Sequence, residues 1–151
     1  MFINKELIIL ELQADSKADA IRKLAMKADS SGKLYSLEQY VDSVMARENE
    51  YSTGVGNGIA IPHGKSSGVK EAVIVFGKLK TPLEWESLDG NLVEMIFLLG
   101  VPEENVDNLH LKILSQLSRR LMDDNFVQTI KCAVSNEDVL RALENINPNN
   151  A

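Results

Sequence analysis

Two histidines, one arginine and a run of glycines are the parts of this 151-residue chain whose types and spacing could do chemistry. His63 follows Ile59-Ala60-Ile61-Pro62 and precedes Gly64, which predicts an imidazole at the end of a strand with small neighbours. Imidazole has an unperturbed pKa of about 6.5, so near neutrality much of it is uncharged and nucleophilic. A loop histidine that caps a backbone carbonyl fits the same context. His110 shares a helical face with Leu114, Leu117 and Leu121. That placement suits a satisfied core histidine, or a second imidazole that orients the first. Arg47 falls in the last turn of a predicted helix, where a cation suits the helix C-terminus and where a planar guanidinium could also hold phosphate oxygens. The run Gly54-Val55-Gly56-Asn57-Gly58 follows, and the backbone N–H groups of Gly56, Asn57 and Gly58 could add neutral phosphate donors. Taken together these groups describe covalent catalysis through phosphohistidine. A neutral imidazole attacks phosphorus, the arginine and amides balance the oxygens, and the second imidazole holds the ring. No Mg²⁺-binding motif is evident, and none is demanded if donor and acceptor are both protein side chains.

Other glycine-loop chemistries fail on spacing. Ile59 stands where G-x-G-x-x-G needs its third glycine, and the same residue stands where a P-loop ending in Gly64-Lys65-Ser66 needs its first. Pro62 would also remove an N–H from such a phosphate cradle. Two histidines and one cysteine argue against a closed zinc site. The carboxylates show no spacing that singles out a glycosidase pair.

The elements that must position these groups can be read from periodicity and caps. Leu7 to Leu12 reads as a strand. Ser16 with Asp19 starts a helix with Ala18, Ile21, Leu24, Ala25 and Ala28 on one face, and Ser31-Gly32 ends it. Ser36 with Gln39 opens a second helix to about Glu50, with Leu37, Tyr40, Val41, Val44 and Met45 as its apolar stripe. The glycine run is too glycine-rich for helix or regular strand. Ile59 to Ile61 is a short strand stopped by Pro62. Ala72 to Leu79 and Leu92 to Leu99 are further strands, the latter apolar enough to be buried on both faces. Asp107 or Asn108 caps a helix through Leu121. Asp123 or Asp124 starts another, with Phe126, Val127, Ile130 and Val134 inward. Ser135 with Asp138 starts the last, with Val139, Ala142, Leu143 and Ile146 inward. Helices, then strands, then helices predict one sheet covered on both faces.

Composition bounds the function. The length suits a single domain, with a C-terminal tail that should fray over 148–151. A formal net charge of −6 argues against a protein held mainly by nucleic-acid phosphates or an anionic membrane. One cysteine, Cys132, rules out an internal disulfide framework and reads as a packed thiol in a helical segment. The longest apolar runs fall far short of the roughly 20 residues of a membrane helix, and no signal peptide is legible, so a cytoplasmic location is expected.

The run GVGNGIAIPHGKSSGVKEAVIVFGKL, Gly54 to Leu79, resembles the enzyme IIA components of the sugar phosphotransferase system, fructose/mannitol class. Ala46-Arg47-Glu48, Leu83-Glu84-Trp85, Leu88-Asp89-Gly90, the Val93 to Leu99 strand, Val101-Pro102 and the Leu109 to Arg119 segment extend the resemblance over essentially the whole chain. It implies a single domain over 1–147 with a three-layer α/β/α sandwich around a central mixed β-sheet. It implies that His63 accepts a phosphoryl group from the histidine-containing phosphocarrier HPr. The group then passes to a cysteine of an enzyme IIB partner, which works with a membrane IIC component on separate chains, and so to a sugar. Arg47 takes the place of the family's active-site arginine and His110 that of its second histidine. No cofactor, metal or direct membrane insertion is implied. A nitrogen-related regulatory branch, in which the phosphorylation state of His63 controls protein binding, is the other reading.

Overall fold

A computed structural model describes residues 3–104 and 108–143, and all side chains in those ranges except those of Leu109 and His110. The chain runs through a 3-10 turn (Lys5–Leu7), β1 (Ile8–Leu12), α1 (Lys17–Ser30), α2 (Leu37–Glu50), β2 (Gly54–Gly56), β3 (Ile59–Ala60) and β4 (His63–Ser66). It continues with β5 (Val73–Leu83), β6 (Val93–Pro102), α3 (Leu109–Leu121), α4 (Asp124–Lys131) and α5 (Asn136–Leu143).

The helix starts follow from hydroxyl caps. Ser16 Oγ accepts from Asp19 N at 3.1 Å, and Ser36 Oγ accepts from Gln39 N at 3.2 Å, so each satisfies an amide that the first helical turn leaves open. The Asp19 carboxylate reaches back to Asp15 N at 3.0 Å, and this bond holds its pKa below the usual aspartate value. Gly32, at φ +77°, turns the chain out of α1 in the left-handed region that glycine occupies without strain.

Among the described residues six strands form one mixed sheet, five in the order β1-β5-β6-β3-β2 and the sixth, β4, beside β6 off that path. β5 and β6 are antiparallel across a long ladder, from Val73 opposite Gly100 to Leu83 opposite Val93. The other side of β6 is shared by two short parallel strands: β3 pairs at Met95 and Ile96, and β4 at Leu99 to Pro102. Between them lies Ile61-Pro62, where proline has no N–H to offer the ladder. α1 and α2 pack on each other, α1 against β5 and α2 against β4, while α3, α4 and α5 form a second helical layer that touches β6 and β1. The expected α/β sandwich around a mixed sheet is therefore what the chain forms. Its centre is the fully buried pair Phe76 and Phe97, with ring centroids 4.9 Å apart. β6 is buried from Met95 through Val101, as its unbroken apolar run requires.

Several local expectations are corrected. The glycine run contains a strand, β2, at the far edge of the sheet. His63 does not trail a strand end but begins one, β4, which the sequence pattern did not show. Ala18 is exposed, and Ala20 takes its place on the buried face of α1. Val134 lies beyond the end of α4 and is 87% exposed, not inward. Cys132 caps that helix and is an exposed free thiol, not a packed one. Asn108 sits at the start of α3 with φ +55° and makes no side-chain cap bond. The expectations for Asp107, Ile146 and the tail 148–151 lie outside the described residues.

Candidate active site

His63 reaches its position in β4, at an edge of the sheet. A Cβ on Gly64 would meet Val44 Cγ2 at 2.9 Å and Val44 N at 3.1 Å, so Gly64 faces α2 and lets that helix approach the strand closely. His63 and Lys65 stand one residue to either side of it in β4. All three residues line a cleft of about 310 Å³ at this edge of the sheet, between Ser43 and Arg47 of α2 and Leu111 and Leu114 of α3, with Leu99 of β6. Ser43 Oγ donates to the Lys65 carbonyl at 3.0 Å and fixes α2 against β4 at the mouth of this cleft.

Arg47 arrives from the last turn of α2. Its guanidinium donates through NH1 to the Tyr51 carbonyl at 2.9 Å, which holds the side chain over the end of the helix that carries it. Helix-end cation and cleft-lining cation are thus the same placement.

The His63 ring is half-buried, and its Nδ1 lies 3.0 Å from the Ile61 carbonyl oxygen. A carbonyl only accepts, so in this bond Nδ1 carries the proton. In the neutral ring Nε2 then keeps the lone pair. Burial pushes the ring's pKa below the usual histidine value, and the charge of Arg47 adds to that push. The bond to Ile61 and the Glu48 carboxylate oppose it. The net direction favours the neutral, nucleophilic ring. The two readings of His63 are therefore one arrangement: capping a backbone carbonyl is what leaves the other nitrogen free for attack.

The structure brings together His63 and Arg47 but sets the glycine loop apart. Gly56 and Asn57 line a neighbouring cleft with Ile61, Ser118, Leu121 and Met122, and Gly58 lines a polar hollow with Glu94 and Lys131. The loop has positive φ at Gly56, Asn57 and Gly58. The Asn57 N–H donates to Asp89 Oδ2 at 3.0 Å, so that amide is already engaged. His110 lies in α3 by its backbone, and its side chain is outside the described residues.

Sequence reasoning missed two features. Lys65 shares the cleft, which the i, i+2 spacing would have shown had β4 been read as a strand. Glu48 follows Arg47 and is 5% exposed; it stands four residues after Val44 and seven after Val41, so the helical periodicity continues the buried stripe onto this carboxylate. Among the described residues no group of three or more histidine, cysteine, aspartate or glutamate side chains could hold a metal ion, and no helix is long and apolar enough to cross a membrane.

A half-buried imidazole and a guanidinium thus line one cleft at the edge of the mixed sheet of a small α/β sandwich domain. The family described as Phosphoenolpyruvate-dependent sugar phosphotransferase system, EIIA 2, matches residues 1–146, and the chain belongs to it as a phosphotransferase component. It is 34% identical over 142 residues, 93% of its length, to the PTS system 2-O-alpha-mannosyl-D-glycerate-specific EIIABC component of Escherichia coli (strain K12). The chain spans only 22% of that protein. It is 33% identical over 144 residues to a nitrogen regulatory protein of the same strain, covering 93% of this chain and 86% of that one. Among solved structures, the nitrogen regulatory protein IIA-Ntr from Neisseria meningitidis superposes with a TM-score of 0.86 at 31% identity, covering 94% of this chain and 96% of that chain. Relatives thus include both sugar-transport EIIA components and nitrogen regulatory proteins.

Proposed function

We propose that the chain carries a phosphoryl group on His63 Nε2, taken from phosphorylated HPr and passed to a cysteine of an enzyme IIB during uptake of a fructose- or mannitol-like sugar. The observation that carries this reading is the 3.0 Å bond from His63 Nδ1 to the Ile61 carbonyl in a cleft shared with Arg47. In the first transfer Nε2 attacks phosphorus as the donor's N–P bond breaks, and the donor imidazole leaves neutral. The donor's phosphorylated ring is protonated on its other nitrogen and His63 keeps its Nδ1 proton throughout, so the phosphorylated His63 ring is an imidazolium and no proton has to move. In the second transfer a thiolate attacks, an S–P bond forms and the His63 ring is released neutral. Arg47 balances charge on the phosphoryl oxygens in both steps, and His110 is assigned the role of second imidazole. The amides of Gly56, Asn57 and Gly58 are assigned to phosphate oxygens only if the loop rearranges, because Asp89 now holds one of them. The work is done outside the membrane, in the cytoplasm, by one domain spanning 1–147.

Incubation with phosphorylated HPr tests the reading. The chain is expected to take up label that a His63→Ala variant does not, and normal labelling of that variant would overturn the site. The similarity to nitrogen regulatory proteins, which covers 86% of one of them, favours a second reading in which the phospho-state of His63 controls protein binding. A chase of the labelled chain into candidate IIB proteins separates the two. Transfer to a IIB cysteine supports transport. Retention of label, with a target bound by one phospho-form alone, supports regulation.

A further inference from the structure

Glu48 is a buried carboxylate with an unusual set of partners. Its side chain is 1% exposed. Oε2 accepts from Lys17 Nζ at 3.1 Å and from Thr53 N at 3.1 Å. Oε1 accepts from the Thr53 hydroxyl and from Trp85 Nε1 at 3.4 Å. Trp85 Nε1 also lies 3.3 Å from Thr53 Oγ1, and the Lys17 ammonium sits 5.5 Å from the Trp85 ring centroid. Burying such a pair costs solvation that apolar residues of the same volume would not lose, so stability alone is a weak reason for it.

Its geometry supplies another reason. The carboxylate grips both donors of Thr53, backbone and side chain, and so fixes the orientation of that peptide. The Thr53 carbonyl accepts from Ile61 N at 3.0 Å. The Ile61 carbonyl in turn accepts from His63 Nδ1 at 3.0 Å. Two residues, Thr53 and Ile61, and three hydrogen-bonded links therefore connect Glu48 to the ring. Ile61 lies in the break between β3 and β4, outside either ladder, and Pro62 beside it has no N–H. The bond to Thr53 is thus a main restraint on where the Ile61 carbonyl points.

We propose that Glu48, acting through Thr53 and Ile61, is the positioning residue that holds His63 in the Nδ1–H tautomer and so selects Nε2 as the nitrogen that attacks. This rests on His63 being the phosphoryl carrier, but its signature can be read without any transfer. Long-range proton–nitrogen NMR spectra of the unphosphorylated protein report the tautomer of His63 directly. The parent is expected to show Nδ1–H as the dominant form, and Glu48→Gln to populate Nε2–H to a comparable extent. Glu48→Gln is also expected to lower kcat for phosphoryl acceptance from phosphorylated HPr about 10-fold, with KM unchanged, the scale of lost outer-shell support.

Thr53→Val removes the hydroxyl link and is expected to shift the tautomer as Glu48→Gln does, whereas Thr53→Ser keeps the link and is expected to restore the parent spectrum. Emission from Trp85, the single tryptophan, shows whether each variant is folded. A Glu48→Gln protein that does not fold leaves the decision to the Thr53 pair. An unchanged tautomer in folded Glu48→Gln or Thr53→Val, or a parent already in the Nε2–H form, overturns the proposal. Failure of the carrier reading is distinct, because it shows as absence of His63 labelling whatever the tautomer.

Discussion

The His63 ring is tied to the backbone two residues before it: Nδ1 lies 3.0 Å from the Ile61 carbonyl oxygen, across the proline in the break between two parallel strands. The tie fixes the protonated nitrogen, and it persists on phosphorylation in the imidazolium form, in which a ring substituted at Nε2 keeps its Nδ1 proton. The phosphorylated protein is therefore expected to hold phosphorus on Nε2 alone. Phosphorus–nitrogen coupling in labelled protein checks this, and a mixture of isomers would show that the tie breaks during transfer.

The pKa of His63 is depressed by burial first and by Arg47 second, against opposition from the Ile61 bond and Glu48. Arg47→Ala is accordingly expected to raise it toward the free value, read by NMR titration with Glu48 and Lys65 unaltered. The sign for stability follows. With the folded pKa below about 6.5, the unfolded chain binds more protons on acidification, so stability is full above that pH and is lost as pH falls through the folded value. Denaturant titrations above and below pH 6 should show a smaller acid loss in Arg47→Ala than in the parent. The same substitution should slow phosphoryl acceptance by roughly a hundredfold, the scale of losing one charge-stabilising donor.

Gly64 is the point where β4 and α2 touch. Its Cβ would lie 2.9 Å from Val44 Cγ2 and 3.0 Å from Ser43 Oγ. Gly64→Ala should force the helix off the strand and cost about 1–3 kcal/mol in chemical denaturation, the usual range for overpacking. Because Arg47 rides on α2, the variant should also lose transfer rate while His63 keeps its Nδ1–H tautomer, a separation that kinetics and NMR would show together.

The helices were legible in the sequence because their signals are local. A hydroxyl followed three residues later by Asp19 or Gln39 specifies its own cap, and the i, i+3, i+4 stripes specify their own buried faces. β6 was legible from its apolar run. β4 was not, because His-Gly-Lys-Ser has neither alternating hydrophobicity nor strand-favouring side chains. It is a strand only because β6 offers Leu99 to Pro102 as partners. β2 was hidden for the same reason, its ladder to β3 resting on Gly54 and Gly56. His63 and Arg47 stood out by residue type. Their common cleft depends on contacts between distant elements that no local pattern records, whereas the buried Glu48 continues the stripe of Val41 and Val44.

The same dependence on β6 has a consequence for biosynthesis. Among the described residues the histidine strand pairs with β6 alone, and that neighbour is translated after it. A ribosome-bound fragment that stops short of Pro102 carries His63 without the edge that orders it, and non-local pairing of this kind is slow to form. Ordering of the histidine strand should therefore come late in synthesis, after the tenth residue of β6 clears the exit tunnel and not when the histidine itself emerges, and the cleft is completed only when α3 follows.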